Sequence, residues 1–220
     1  MKNLQRVGGI AALIGAATNL FALVMLIALA PRGLGSDDPG QAVAFFADNQ
    51  AFTRVLNIVI YLVFGVSLIV LSLALHERLK AGSPVLAQAV TTFGLLWAFL
   101  VIVIGTLSIS DVSTVVKLYG ENPAQAATVW LALDSVETGL GAGGGETIVS
   151  ALWFLLLSWA ALRARALPRL LIYLGVVTGV AGILSVLALT GLQAVYALGL
   201  IIWFAWLGIV MLRTSPASAA

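Results

Sequence analysis

Glu146 occupies the position in this sequence that most needs a chemical explanation. It follows the tract Gly-Ala-Gly-Gly-Gly at 141–145 and opens an apolar run reaching Leu162. A carboxylate at the centre of a bilayer costs about 2.5–3.5 kcal/mol on insertion scales, and much less near the interface. Two chemistries fit. One is a proton or cation site, with glycine backbone offering carbonyl ligands as in the broken helices of transporters. The other is a headgroup-level carboxylate in the first turn of a helix, complementing its dipole. Asp134 and Glu137 are three residues apart, so they share a helical face, which adjoins Trp130. With Asp111 and Glu146 they compose a candidate acidic outer vestibule, and Arg54 and Asn57 are the candidate counter-charge and partner. The same acids read more simply as ordinary solvated loop charge.

The other polar residues inside apolar runs are expected to be structural. Asn19 shares a face with Ala11 and Gly15 and reads as an interhelical clamp worth about 0.6 kcal/mol. Gln88, Thr91 and Thr92 read the same way, and His76 in HERLK reads as a headgroup-level residue. Trp159 and Trp130 suit interfacial belts, whereas Trp153, Trp203 and Trp206 lie deeper and are expected to fill a core or line a pocket for a pigment or lipid chain. No cysteine and one histidine exclude thiolate and multi-histidine metal centres. H-E-x-x-H, a P-loop and a strand-borne G-x-G-x-x-G are all absent. No catalytic constellation, cofactor site or metal site is therefore expected. A net charge of +2 is too small to suggest nucleic acid.

These residues must be held by helices in lipid. The chain has 220 residues, 61% hydrophobic and only 9% charged, against about 25% charged in soluble domains. Five runs of about 20 apolar residues are plain: Val7 to Ala30, Val55 to Leu75, Pro84 to Leu107, Leu170 to Leu189 and Ala194 to Leu212. A sixth, Gly141 to Leu162, is weaker and needs its glycines to reach spanning length. Six spans with the N-terminus inside put Lys2, Arg6, Arg78, Lys80, Arg163, Arg165, Arg169 and Arg213 on the inner side. Only Arg32, Arg54 and Lys117 fall outside, as the positive-inside rule requires. Among the acids only Glu77 falls inside. The first apolar stretch is longer than the 7–15 residues of a signal-peptide core, so it is expected to stay as a span.

Two outer loops carry helix signals. Asp38-Pro39 and Asn122-Pro123 each pair an N-cap with proline at the first helical position. Val43, Phe45 and Phe46 give the first short helix an apolar face. Val129, Leu133, Val136 and Leu140 give the second a stripe. Both are expected on the outer membrane surface or over the bundle mouth. The fold class is thus all-α: a polytopic transmembrane bundle of six spans with two short outer amphipathic helices. One bundle domain covers 1–213, and a disordered tail covers 214–220.

Three segments carry a family resemblance: MKNLQRVGGIAALIGAATNLFAL, TRVLNIVIYLVFGVSLIVLSLALHERLK, and ALPRLLIYLGVVTGVAGIL with the Trp-rich last span behind it. On these the chain resembles a domain-of-unknown-function family of bacterial six-span integral membrane proteins. The resemblance implies the architecture and no activity. The functional expectation is a non-catalytic, multi-pass protein of the cell membrane with both termini cytoplasmic. It would be an accessory subunit of a membrane complex, or a lipid-binding or scaffold protein. Its partners would be membrane lipid, partner subunits or further copies of itself. The alternative is a small transporter or channel-like protein for a proton, cation or amphiphile, using the region around Glu146.

Overall fold

The computed structural model describes residues 2–141, 144–187 and 191–213, and these are helical with short turns. The elements are α1 (Lys2–Leu29), α2 (Pro39–Asp48), α3 (Gln50–Asn57), a π-helical turn (Ile58–Val63), α4 (Phe64–Leu79), α5 (Pro84–Glu121), α6 (Pro123–Leu140), α7 (Gly145–Ala164), α8 (Arg169–Ser185) and α9 (Leu192–Arg213). Six of them close into a ring in which α1 packs on α4, α4 on α5, α5 on α7, α7 on α8, α8 on α9, and α9 back on α1.

The ring is filled by aromatic side chains. Phe64 from α4, Trp97 from α5, Trp153 and Phe154 from α7, and Trp203 and Phe204 from α9 are all buried. Their ring centroids lie 4.9–6.3 Å apart, mostly edge-to-face, the arrangement favoured by the aromatic quadrupole. Trp153 and Trp203 fill the core as expected. Trp159 is exposed, with the Arg163 guanidinium 5.3 Å from its ring centroid. Trp130 packs edge-on to Phe46 at 4.8 Å.

Small residues let the helices approach. Lipid tails are as apolar as leucine, so helix pairing there depends on close packing. Gly9 of α1 and Gly208 of α9 face each other so closely that a Cβ on either would meet the other's carbonyl oxygen near 3 Å. Gly179 of α8 lies as close to the Ala151 carbonyl of α7. Large apolar side chains such as Ile10, Val66, Phe99, Val177 and Ile202 point outward.

Among the described residues five stretches are long and apolar enough to cross a membrane: Asn3–Arg32, Gln50–Leu79, Pro84–Glu121, Pro123–Ala164 (which comprises the separate helices α6 and α7) and Leu192–Arg213. The expected fifth span is the shorter Arg169–Ser185; of its expected end, 188–190 lie outside the described residues. The tail 214–220 also lies outside them.

Three expectations need correction. The segment from Ser108 to Glu121 is not a loop but the continuation of α5. Val112 and Val115 are buried there under α2, together with Val43, Phe45, Phe46 and Ala126 in a second core. The outer helix α6 is not short, at 18 residues, and it packs on α5 and α2. Its stripe is buried only in part, since Val129 and Leu133 join that core while Val136 is exposed. Asn19 is not an interhelical clamp: its amide donates to the Gly15 carbonyl one turn back in its own helix, at 2.8 Å. Both proline-led caps form, with Asp38 accepting from the Gly40 and Gln41 amides and Asn122 from Gln125. Thr91 does bridge helices, its hydroxyl lying 3.0 Å from His76 Nδ1.

Gly179→Leu should overpack the α7–α8 contact by about 1–3 kcal/mol and lower the melting temperature in detergent by several degrees. Gly120→Ala, with nothing near the added Cβ, should leave it unchanged or raised. Equal behaviour of the two variants would contradict the packing described.

Candidate functional site

The break between α6 and α7 sets the site. Helix α6 stops at Leu140, and the Gly141 amide caps it by donating to the Glu137 carbonyl at 2.7 Å. Residues 142 and 143 lie outside the described set. Gly144 then packs against the Gly139 carbonyl with no room for a Cβ, and α7 starts at Gly145. Among the described residues the helix is thus broken between Leu140 and Gly145, with Gly144 tightly packed, as expected from the low helix propensity of glycine. Irregular backbone at this depth is tolerated against protein or a wet cavity, and the Thr147 hydroxyl donates to the Gly141 carbonyl at 3.3 Å.

Glu146 stands in the first turn of α7, with the α7 dipole behind it. Its carboxylate accepts a hydrogen bond from the Trp97 indole N–H. It therefore points into the bundle, at the edge of the aromatic core. Its partner is neither Arg54 nor Asn57. Arg54 is exposed on α3, and Asn57 lines a neighbouring cavity. Nothing in the sequence marks Trp97, because it sits 49 residues away in another span among apolar neighbours.

A cavity of about 290 Å³ is lined by Asn19, Tyr61, Phe64, Asp134, Glu137 and Glu146, among others. One of about 310 Å³ shares Tyr61, Asp134 and Glu137 and adds Asn57, Ser108 and Trp130. One of about 350 Å³ shares Asn19, Tyr61 and Glu146 and extends between apolar side chains of α1 and α9, including Leu23, Leu26 and Leu200. Tyr61 is common to all three, and it lies in the π-helical turn, an element often found at functional sites. Gly105 of α5 makes room for it, since a Cβ there would collide with that of Tyr61.

Glu137 projects from α6 between α5 and the π turn. The Ser108 hydroxyl donates to its Oε2 at 2.7 Å. Its Oε1 is buried with no hydrogen-bond partner among the described residues. Asp111 lies beside it on α5, and Asp134 stands one turn back, exposed at the mouth. Among the described residues no lysine, arginine or histidine lines any of the three cavities. Four of the sequence-selected residues, Asp111, Asp134, Glu137 and Glu146, are thus brought to one region, Asn57 to its margin, and Arg54 away from it. No group of three potential metal ligands is found among the described residues. The arrangement offers carboxylate oxygens, hydroxyls and aromatic faces to a cation, with apolar walls beside them.

The family model described as Domain of unknown function (DUF4386) matches residues 7–213, so the chain belongs to that family. No curated protein and no solved structure matches the chain.

Trp97→Phe removes the donor to Glu146 and should cost about 1–3 kcal/mol through the orphaned acceptor. In a double-mutant cycle the same change made on top of Glu146→Leu should cost clearly less, because no carboxylate is then stranded. Additive losses in detergent melting would show that the indole–carboxylate contact carries no stability.

Proposed function

We propose that this membrane-type helical protein binds a small amphiphilic cation, such as a protonated amine with an apolar body, without transforming it. One observation carries the reading: Asp134, Glu137 and Glu146 line one cavity, and no basic side chain among the described residues lines it. Buried carboxylates without counter-charge are costly, and the Glu137 carboxyl stands against that of Asp111, a like group that raises the cost. A cation entering there would meet acceptors held by Ser108 and Trp97 and aromatic faces able to contribute cation–π attraction. The apolar arm between α1 and α9 suits the body of an amphiphile rather than a bare ion. Intramembrane acids of this kind mark ligand or ion pathways, so release of the bound cation toward the other end, which would make the protein a transporter, extends the same reading. Lipid binding, by contrast, would put an anionic or zwitterionic headgroup among these acids.

Six spans, a cytoplasmic location for both termini and residence in the cell membrane belong to the proposal. The support is the segregation of charge. Arg6, Arg78, Lys80, Arg163, Arg165, Arg169 and Arg213 gather at the end where α1 begins and α9 finishes, with Glu77 as the one acid. The acidic cavity belongs to the opposite end.

Equilibrium dialysis of the detergent-purified protein with labelled tetraphenylphosphonium should detect saturable binding, and neutral triphenylphosphine oxide should not compete. Glu137→Gln and Glu146→Gln should each weaken binding by about tenfold or more. Indifference to both changes would sink the assignment of the cavity. For topology, Gln125→Cys should react in intact cells with an impermeant thiol reagent, and Ala81→Cys should not; the reverse pattern would invert the orientation.

A further inference from the structure

The corner between α7 and α8 lies at the opposite end from the acidic cavity and has opposite chemistry. Helix α7 ends on Arg165, in the left-handed region at φ 49°. The Ala166 amide returns to the Ala161 carbonyl at 3.1 Å, closing the last turn. The corner is pinned from below, because Arg78 Nε donates to the Ala166 carbonyl at 3.0 Å. The same guanidinium donates to Gln5 Oε1 at 3.2 Å, and the Gln5 amide donates to the Ala74 carbonyl, so α1, α4 and the corner are tied together. Pro168 then starts α8, whose first turn receives no side-chain cap.

The pinned corner encloses a cavity of about 380 Å³ lined by Ala161, Leu162, Arg165, Leu167, Arg169 and Ile172. Arg165 and Arg169, both exposed, therefore line one pocket with four apolar residues, and no carboxylate among the described residues lines it. Among the described residues neither has a carboxylate partner, and Glu77, the only acid at this end, is engaged by Lys80 at 2.7 Å. Helix-dipole complementarity explains a basic residue at the end of α7, but it does not explain Arg169, which stands at the positive end of α8. Two arginines lining one pocket beside the uncapped first turn of α8 suit an anion. The surroundings choose among anions: Leu162, Leu170, Tyr173 and Trp159 are exposed around the corner, with Arg163 over the Trp159 ring. Apolar and aromatic groups bordering a basic pocket are what a headgroup with acyl chains would meet.

We infer that the α7–α8 corner binds the phosphate headgroup of an anionic lipid, with Arg165 and Arg169 as its ligands. The inference is independent of the cation proposed at the other end. The test uses the full chain, delipidated in detergent and titrated by native mass spectrometry with phosphatidylglycerol and with phosphatidylcholine of the same acyl chains. Phosphatidylglycerol should bind about tenfold tighter or more. Arg165→Asn with Arg169→Gln should abolish that preference, asparagine being tolerant of the left-handed backbone. Equal affinity for the two lipids would overturn the inference, as would a preference that survives the double change. Inorganic phosphate, titrated alone, separates the sources: phosphate binding lost in the double variant, with no lipid preference in the wild type, would assign a soluble anion and overturn the headgroup reading. Should the double variant not fold, Arg169→Gln alone, at an exposed position, should remove roughly half of the preference on a logarithmic scale, and no change would again overturn it.

Discussion

The hydrogen bond from Trp97 to Glu146 ties the two halves of this molecule together. On one side of it lies a ring of six helices packed around buried aromatic side chains. On the other lies a set of carboxylates that hydrocarbon alone would not tolerate. The indole belongs to both: its rings pack against Phe64, Trp153 and Phe204, and its N–H serves the acid. A polar group at this depth must find its partner inside the protein, and α5 supplies it from the middle of an apolar span. The position of α7 along the bundle is thus coupled to the aromatic core by a directional contact as well as by packing.

The two ends of the bundle carry opposite charge. The acidic end holds Asp111 on the extension of α5, Asp134 and Glu137 on α6, and Glu146 at the start of α7, beside the apolar core that α2 shares with α5 and α6. The basic end holds a corner fixed by Arg78 and open to two arginines. Coulombic repulsion within each set is not relieved by local ion pairs, since Lys80–Glu77 is the one ion pair formed among the described residues. Unpaired like charges gathered in clefts raise the local concentration of counter-ions, which is the physical basis for proposing a cation at one end and an anion at the other.

Much of the architecture can be read from the chain, because hydropathy and topogenic charge act locally. The proline-led caps at Asp38 and Asn122, the break in the glycine tract, and the burial of Trp153 and Trp203 follow from neighbouring residues and overall burial. What escapes depends on distant pairing. Ser108 to Glu121 looks like loop because its polar residues interrupt hydropathy. It is helix because Val112 and Val115 find α2 above them. Trp97 is one apolar residue among many until α7 brings Glu146 to it. Arg54, close to the site in the chain's order of spans, turns outward on α3. Asn19 bonds within its own helix and so needs no other.

The π-helical turn at Ile58–Val63 has a consequence for how such a chain can change over generations. A turn of this kind is an α-helix carrying a locally widened loop of backbone. Removing one residue there would return an ordinary helix, leaving the register of Phe64, Leu68 and Leu71 against the core intact while rotating the residues before it. The wall contributed by Tyr61, shared by all three cavities, would swing away, and the bundle beneath would be undisturbed. Single-residue gain or loss at this one turn is therefore a route by which descendants of the same fold could acquire a differently shaped pocket without rebuilding the helices that hold it.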